Sequence, residues 1–440
     1  MKILHVIPDL RQASGPSVFC VKVCDQFAKV GLDVSILYRG KLERTSMLPN
    51  NRKVQLVDDF NFFKNVAMPD LVHVHSLWSP ISHAGVNFAR RHNIPYVIST
   101  HGMLAPWALE HKWLKKKIAW CLYQKRDLWG AVLFHVTAPC ENEWLRELGF
   151  KQPCVLAPLG SDLPNLNNAE TRRLREVKTV LFVGRIYPVK GLMNLVKAWA
   201  AMKRSSLAGK LDSAIGSNNG LPVWQLAIAG PDQAGHKAEL VAEAKRLDLT
   251  VADVTTGELM HNRTHVLSLD IVFTGPVYGA DRDTLYRMAD LFVLPSFSEN
   301  FGVVVTDALS YGVPVITTKG APWSELQGNS DPSSFVHYCD SALVGEQSAI
   351  RDKQSVTGND STNALMNFRT NELTHMGRAG WWIDIGVEPL AEALKEAMGL
   401  SDEERRAMGE NGRRLVETKY TWPAIAEQMK AAYVWILNGG

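Results

Sequence analysis

The chain has 440 residues, of which 46% are hydrophobic and 21% are charged, and its formal net charge is +3. This length allows two domains with separate cores, and the composition is that of a soluble globular protein. The small net charge argues against a general nucleic-acid-binding protein. No hydrophobic run reaches the roughly 18–20 residues that a membrane-spanning helix needs.

The first part of the chain alternates between short hydrophobic runs and helical patterns. Its start, MKILHVIPDLR, is interrupted too early by Pro8 and Asp9 to be a signal peptide, so we expect a buried strand in a cytoplasmic protein. Helical patterns at Val18–Val30 and Ile81–His92 separate several strands. This alternation predicts an α/β fold with a parallel sheet. The predicted strands are Ile3–Ile7, Val34–Leu37, Leu71–His75, Tyr96–Ser99, Val132–Val136 and Cys154–Ala157.

Two loops that follow predicted strands in this part are candidates for ligand binding. The first contains Gly15 and Pro16, where proline suits the first helical turn and glycine lets the backbone approach a ligand closely. A purely structural turn is the alternative for this loop. The second follows Tyr96–Ser99 and places His101 at the tip of the strand, where it can hydrogen-bond a sugar hydroxyl.

The other histidines and the cysteines of this part fit structural roles better. Four histidines lie within hydrophobic runs and are predicted to be core residues: His5, His73, His75 and His135. Of these four, His75 is the second candidate for a functional role after His101. The six cysteines, at positions 20, 24, 121, 140, 154 and 339, show no C-x-x-C pair or zinc spacing. We therefore expect reduced thiols and no metal site.

The segment Glu110–Trp129 combines six basic residues with three tryptophans. Residues 1–151 carry 20 Lys and Arg against 12 Asp and Glu, so the segment belongs to the basic part of the chain. A basic amphipathic helix with aromatic residues is typical of a membrane-surface or lipid-acceptor site. The alternative is a helix that buries its Trp and Leu face and leaves its lysines in solvent.

A second set of strands follows the polar stretch Leu163–Lys178, which we interpret as an interdomain linker. The predicted organisation is a domain at 1–163, a linker at 164–178, a domain at 179–420 and a helix at 421–440. Two stretches without clear periodicity, Ser205–Pro222 and Gly328–Met376, look inserted. The predicted strands are Val180–Val183, Trp224–Ala229, Ile271–Thr274, Leu291–Leu294 and Val313–Thr317.

Charged residues follow two strands of this second set. Arg185 and Lys190 lie in the loop after Val180–Val183, where two cations can neutralise a diphosphate leaving group. Glu299 lies in the loop after Leu291–Leu294, just before a predicted helix start, and Asp307 lies inside that helix. A helix N-terminus suits a diphosphate, and flanking carboxylates can accept hydrogen bonds from hydroxyls. This is the chemistry of gripping a nucleotide sugar.

The segment from Leu291 to Leu326, LFVLPSFSENFGVVVTDALSYGVPVITTKGAPWSEL, resembles the signature of the retaining glycosyltransferases of family 4. The resemblance extends from Val6 to about Trp422 and implies a GT-B fold, two doubly wound Rossmann-like domains facing across a cleft. It also implies that the C-terminal helix crosses back to the N-terminal domain. The second acid of the signature is Asp307 where the family has glutamate.

The resemblance also implies roles for individual residues. Glu299 would orient the donor sugar, Asp307 would bind the ribose, and His101 would lie beside the sugar. Arg185 and Lys190 would stabilise the diphosphate in place of a metal ion, so we expect a reaction that needs no metal or other cofactor. The donor-binding set is completed by Gly15, Val277, Asn300, Phe301, Gly302 and Val303. The turn Pro158–Asp162 matches a family turn, with Leu159 in place of the usual asparagine.

The predicted activity is retaining transfer of a hexose from a nucleoside diphosphate sugar to a glycan or lipid-linked saccharide in surface polysaccharide or lipopolysaccharide biosynthesis. The expected partners are the donor, the acceptor and an anionic inner-membrane surface contacted through residues 110–129, so the protein would be cytoplasmic or peripheral to that membrane. Alternatives are a sugar phosphorylase, a nucleotide-sugar epimerase, which the combination of Arg185, Lys190 and Glu299 disfavours, and an inactive nucleotide-sugar-binding subunit.

Overall fold

The computed structural model describes residues 1–11, 14–39, 42, 46–58, 68–110, 112–166, 177–205, 223–257, 269–328 and 377–439. These residues form two compact units, one built from Met1–Gly160 with Lys419–Gly440 and one from Ser161–Ser330 with His375–Thr418. Most of the two stretches that look inserted, and positions 167–176 of the predicted linker, lie outside the described residues.

The first unit contains a seven-stranded parallel sheet in the order β3-β2-β1-β4-β5-β6-β7. The strands are β1 (Lys2–Ile7), β2 (Asp33–Tyr38), β3 (Gln55–Val57), β4 (Leu71–His75), β5 (Tyr96–Ser99), β6 (Leu133–Val136) and β7 (Cys154–Leu156). The helices are α1 (Gly15–Lys29), α2 (Pro80–Arg91), α3 (Pro106–Glu110), α4 (Trp113–Ala119), α5 (Lys125–Trp129) and α6 (Pro139–Glu147), with a π-helical turn (Trp120–Gln124) between α4 and α5.

The sheet of the first unit is covered on both faces, which is why its strands are hydrophobic throughout rather than alternating. One core layer joins α1 to the C-terminal helix, Trp422–Leu437, through side chains that include Phe19, Phe27 and Met429. The other layer lies under α2 and contains Val74, Ile98 and Phe134 among others.

The C-terminal helix is fixed to the first unit at its first residue. The hydroxyl of Thr421 accepts a hydrogen bond from the amide of Ala424 at 3.4 Å, which caps the helix. Trp422 packs so closely on Gly160 that a Cβ there would lie 2.6 Å from the indole ring. Glycine is therefore required where the chain leaves this unit.

The second unit contains another seven-stranded parallel sheet, in the order β10-β11-β9-β8-β12-β13-β14. The strands are β8 (Val177–Val183), β9 (Val223–Ala229), β10 (Val251–Asp253), β11 (Ile271–Gly275), β12 (Leu291–Leu294), β13 (Val315–Thr318) and β14 (Gly380–Ile383). The α-helices are α7 (Leu192–Ser205), α8 (His236–Arg246), α9 (Gly279–Met288), α10 (Val303–Ser310), α11 (Val387–Gly399) and α12 (Asp402–Leu415); 3₁₀ turns lie at Pro188–Lys190 and Ser324–Gln327, and a π-helical turn lies at Val416–Tyr420.

The predicted α/β class with two parallel sheets is confirmed, and the differences are local. Strand β8 begins at Val177, so Val177 and Lys178 were wrongly placed in the linker. The strand predicted at Val313–Thr317 spans Val315–Thr318. Three strands were not among those predicted, because each is short or follows a stretch without clear pattern: β3, β10 and β14. Among the described helices, none has the length and apolar character needed to cross a membrane.

Candidate active site

The strand order of the second unit brings two loops with predicted site residues side by side. Strand β8 lies between β9 and β12, so the chain leaves β8 on one side of the sheet and returns to its other side at β12. In parallel α/β sheets, ligands bind at the carboxyl ends of the strands that flank such a switch point. The loop after β8 carries Lys190, and the loop after β12 carries Glu299.

These two side chains meet. The ammonium of Lys190 lies 2.5 Å from Oε1 of Glu299, and the hydroxyl of Ser296 donates to the same oxygen at 2.6 Å. The side chains of Lys190 and Glu299 are only 14% and 12% exposed. The pair is therefore largely withdrawn from water, where a charge-assisted hydrogen bond is stronger than at the surface.

The backbone around Glu299 is held on both sides. The amide of Phe297 donates to the carbonyl of Val189 at 2.8 Å, and the amide of Glu299 donates to the carbonyl of Gly320 at 2.7 Å. Gly191 has a φ of +68°, and a Cβ there would lie 2.0 Å from the carbonyl oxygen of Pro295. Glycine at this position therefore permits the close approach that brings the two loops together.

The predicted donor-binding run from Asn300 to Val303 forms the start of helix α10. Gly302 is the N-cap with a φ of +79°, and α10 begins at Val303. The carbonyl of Phe301 accepts a hydrogen bond from the indole N–H of the fully buried Trp323 at 2.6 Å. A rigid helix N-terminus thus lies directly after Glu299, with the positive end of its dipole at the switch point.

Asp307 lies inside α10, and the structure pairs it with an arginine that the sequence analysis did not identify. Arg282 of α9 forms an ion pair with Oδ2 of Asp307, and the hydroxyl of Ser161 lies 3.5 Å from Oδ1. Burial raises the pKa of Asp307, and Arg282 opposes this rise. A carboxylate that is already paired has to exchange or share its partner before it can bind a ribose.

The other predicted residues of the second unit lie along the same edge of the sheet. Arg185 is exposed and donates to the side-chain oxygen of Gln233 at 3.1 Å. The turn at Gly230 packs on this loop, because a Cβ there would lie 1.7 Å from the carbonyl oxygen of Gly184. Val277 is buried, and its predicted contact with the donor remains a prediction.

His101 lies in the first unit, directly beyond the end of β5. Its φ of +46° is unusual for a residue other than glycine. The buried carboxylate of Glu141 holds the loop on both sides of it, accepting hydrogen bonds from the hydroxyl of Thr100 and, at 2.8 Å, from the amide of Gly102. Desolvation lowers the pKa of His101 well below its ordinary value, so the imidazole is neutral at physiological pH.

Two family models match this chain. The model of glycosyl transferases group 1 matches residues 167–331, and the model of the glycosyl transferase 4-like domain matches residues 55–160. Together they cover more than half of the chain. The protein belongs to the family 4 type of glycosyltransferases, with the GT-B fold.

Relatives and solved structures agree with this assignment. The D-inositol 3-phosphate glycosyltransferase of Corynebacterium glutamicum is 24% identical over 382 residues, which are 73% of this chain and 80% of the relative. The sucrose-phosphate synthase of Thermosynechococcus elongatus superposes with a TM-score of 0.61 at 18% identity over all of both chains. Anabaena HepE, solved with UDP and glucose, gives 0.57 at 14% identity over 99% of each chain.

The four histidines that were predicted to be core residues, His5, His73, His75 and His135, are all buried in this glycosyltransferase. Nε2 of His135 donates to the carbonyl of Ala157 at 2.7 Å, so its Nδ1 accepts from the hydroxyl of Ser99 at 2.6 Å. Ser99 in turn lies 2.6 Å from Nε2 of His73, whose Nδ1 lies 2.5 Å from the hydroxyl of Tyr433. Burial lowers the pKa of both histidines, that of His135 to about 4. Neutral rings make this a single directed chain of hydrogen bonds.

Gly15 opens helix α1 and is not required there by crowding. A Cβ at this position would lie 3.8 Å from the side chain of Leu159, which is an ordinary contact. Packing therefore does not explain why this position is glycine. The predicted contact of Gly15 with the donor remains a prediction. Leu159 lies in the turn Pro158–Asp162 and is the residue that replaces the asparagine usual in the family.

The basic aromatic segment buries only part of its hydrophobic surface, through Leu128 and the partly buried Trp120. Lys112 adopts a left-handed conformation that separates α3 from α4, and α4 has no buried residue. Five large hydrophobic side chains are 52–75% exposed: Trp113, Leu114, Ile118, Leu122 and Trp129. Among the lysines, Lys117 stands over the ring of Trp113 at 5.8 Å. The alternative interpretation, a helix that buries its Trp and Leu face, is therefore wrong for these five side chains.

Two residues that contact predicted site residues or their loops, one in each unit, were missed because their partners are distant in sequence. Glu141 holds the His101 loop from helix α6, and Arg282 pairs with Asp307 from α9. Neither lies in a motif. The available signal for Glu141 was its position in the first turn of a helix that follows a buried strand.

Proposed function

We propose that this glycosyltransferase is a retaining enzyme that moves a hexose from a nucleoside diphosphate sugar to a glycan or lipid-linked saccharide of a surface polysaccharide. The observation that carries this proposal is the Lys190–Glu299 pair, largely buried at the switch point of the second sheet and directly before the N-terminus of α10. A cation and a helix N-terminus suit the diphosphate, while a carboxylate beside them suits the sugar hydroxyls.

The residues have distinct roles in this proposal. Lys190 and the exposed Arg185 stabilise the negative charge that develops on the leaving diphosphate, together with the amides near Gly302. Because these groups supply positive charge, we propose that the reaction needs no metal ion. Glu299 orients the sugar, and Asp307 binds the ribose after exchanging or sharing Arg282. Among these residues, we assign no covalent nucleophile, and the leaving phosphate helps to deprotonate the acceptor.

Neutral His101 fits a role at the donor sugar, because an uncharged imidazole can both donate and accept a hydrogen bond. Its loop is fixed by Glu141, so the ring is positioned before any ligand binds. Fixed geometry of this kind lowers the cost of binding and increases the rate of reaction.

The acceptor is the less constrained part of the proposal. The exposed basic and aromatic residues of 112–129 favour an acceptor at an anionic membrane surface, hence a lipid-linked saccharide. The name of the Corynebacterium relative supports a second candidate, a soluble phosphorylated polyol or sugar. Both acceptors leave the donor site unchanged.

Thermal denaturation tests the donor site. UDP, GDP, ADP and their hexose conjugates are added to wild type, to Lys190→Ala and to Lys197→Ala, a half-exposed lysine of the same unit that serves as control. A ligand that binds the folded state raises its melting temperature. We expect one nucleotide to stabilise wild type and the control but not Lys190→Ala. Equal stabilisation of wild type, Lys190→Ala and Lys197→Ala would contradict the proposed site.

Product analysis tests the reaction itself. Wild type is incubated with the donor identified by melting, with a lipid-linked oligosaccharide or a sugar phosphate, and with or without EDTA. Retention requires that the new glycosidic bond keep the anomeric configuration of the donor, which NMR of the product reports. Donor binding without transfer to acceptors of either class would favour the inactive binding subunit. Loss of transfer with EDTA, restored by a divalent ion, would overturn the metal-independent reaction.

A further inference from the structure

Three side chains with metal-binding atoms, none of them assigned a part in sugar transfer, meet in the core of the first unit. They are His5 of β1 and Cys20 and Cys24 of α1, and one ligand atom from each lies within 4.8 Å of the others. All three residues are 0% exposed. Cys20 and Cys24 are four positions apart on one helix, so both project from the face of α1 that packs on β1.

The hydrogen bonds of His5 leave one ring nitrogen available for this cluster. Nδ1 of His5 lies 2.9 Å from Nε2 of His75, whose Nδ1 lies 3.4 Å from Nε2 of His101. Nε2 of His5 is buried and has no hydrogen-bond partner among the described residues. Leaving a buried polar atom unpaired is unfavourable, so this nitrogen is available to a partner such as a metal ion.

We propose that Nε2 of His5 and the sulfur atoms of Cys20 and Cys24 bind a thiophilic metal ion, Zn²⁺ or Cu⁺. Thiolate and imidazole are ligands that both ions prefer. Binding deprotonates both thiols and releases two protons. With Zn²⁺ the three groups form a neutral assembly, which removes the charge penalty of burial; with Cu⁺ the three-ligand count matches an ion that accepts low coordination.

The surrounding residues behave like the second layer of a metal site. Histidines that bind metals usually donate their other ring N–H to a neighbouring group, which fixes the tautomer and the ring orientation. His5 has such a neighbour in His75, at Nδ1. The alternative grouping of His5, His73 and His75 is less suitable, because both nitrogens of His73 are already bound to Tyr433 and Ser99.

The proposed ion would be structural. It would tie β1 to α1, and the loop between these two elements leads directly into Gly15, the first residue of α1. A fixed first βα unit would hold that loop in place without any part in sugar transfer. The proposal is therefore independent of the donor chemistry, and a metal-independent reaction is compatible with it.

Metal analysis tests the proposal directly. Wild type purified without metal-affinity resin is analysed by mass spectrometry for zinc and copper, then reduced, supplied with Zn²⁺ or Cu⁺ and dialysed. We expect about one ion per chain. The double variant Cys20→Ser/Cys24→Ser should hold none, and Cys121→Ser/Cys154→Ser, which also removes two thiols, should keep it. Wild type that retains neither ion overturns the proposal even if the double variant fails to fold.

A spectroscopic readout identifies the ligands. Co²⁺ bound through thiolates gives a charge-transfer absorption in the near ultraviolet, which oxygen and nitrogen ligands do not give. We expect this absorption in wild type and its loss in Cys20→Ser/Cys24→Ser. His5→Gln should weaken metal retention while keeping the thiolate absorption. Retention of zinc or copper by the double variant would show that the ion binds elsewhere and would overturn the assignment.

Discussion

Lys190 and Glu299 are 109 positions apart in the chain, yet their side-chain charges lie 2.5 Å from each other. They meet because β8 and β12 are neighbours in the sheet, although the strands β9, β10 and β11 and the helices α7, α8 and α9 lie between them in the chain. The pair lies in a place with little water, where a charge-assisted hydrogen bond is stronger than at the surface. Ligand binding at this site must therefore redirect an existing ion pair.

Replacing Lys190 by alanine should abolish most of the transfer activity. The variant loses one charge that stabilises the leaving group, and losses of this kind lower kcat by about 10²–10³-fold. Glu299 also loses its counter-charge, so the melting temperature should fall modestly. Steady-state kinetics with the preferred donor measure the first effect, and Lys197→Ala is the control. Wild-type turnover in Lys190→Ala would remove this lysine from the site.

Replacing Arg282 by alanine should make nucleotide binding sensitive to acid. Burial raises the pKa of Asp307 and Arg282 opposes the rise, so removal of Arg282 raises that pKa further. As the pH falls, Asp307 in the variant then protonates earlier than in wild type and loses its charge. We expect the Kd for the nucleoside diphosphate to increase more steeply below neutral pH in Arg282→Ala.

The matched control for this experiment is Asp307→Asn, which has no carboxyl to titrate. Its nucleotide affinity should be reduced and should follow the pH dependence of the remaining site. Isothermal titration calorimetry gives both profiles. If Arg282→Ala and wild type change in parallel with pH, Asp307 does not contact the nucleotide.

Replacing Glu141 by glutamine should disturb the His101 loop. Oε2 of Glu141 accepts hydrogen bonds from Thr100 and Gly102 on either side of the histidine, and Oε1 accepts from the amide and hydroxyl of Thr137, whereas a glutamine amide has only one acceptor oxygen for these four donors. We expect a loss of about 1–3 kcal/mol in the free energy of unfolding, because a buried donor is left unpaired. We also expect a lower kcat. Glu143→Gln, exposed on the same helix, is the control in denaturation and kinetic assays.

The buried histidines should make the first unit sensitive to acid. His135 has a pKa of about 4 in the folded protein, against an ordinary value of 6.5. Between these values the unfolded chain binds more protons than the folded protein. The contribution of the neutral His135 to the free energy of unfolding is therefore fully present above pH 6.5 and is lost as the pH falls towards 4. The shift corresponds to about 3 kcal/mol. Urea titrations across this range measure it, and His135→Gln should flatten the dependence whereas the exposed His92→Gln should not.

The sequence was sufficient for the elements whose pattern is strong and local. Both parallel sheets, the C-terminal helix and the loops after β8 and β12 could be predicted, because hydrophobic runs and turn residues define them. The strand β10 could not be predicted, because it has only three residues and ends in the charged Asp253. Contacts such as Arg282 with Asp307 depend on which helices become neighbours, and no local pattern encodes that.

The histidines illustrate the same limit. Their position within hydrophobic runs predicted correctly that His5, His73, His75 and His135 are buried. The direction of their hydrogen bonds, and the two cysteines beside His5, depend on the packing of α1 over the sheet. A search for C-x-x-C spacing fails here, because the cysteines are four positions apart and the histidine comes from another element.

The exposed segment at 112–129 leads to the last prediction. Trp113, Leu114 and Leu122 are more than half exposed beside clustered lysines, so the segment can insert hydrophobic side chains while its lysines contact anionic headgroups. Wild type should float with vesicles that contain phosphatidylglycerol at low salt and less with neutral vesicles. Trp113→Ser/Leu122→Ser should reduce flotation several-fold. The exposed substitution Val434→Ser, on the C-terminal helix, should leave it unchanged. Equal flotation of all three proteins would exclude this surface as the membrane contact.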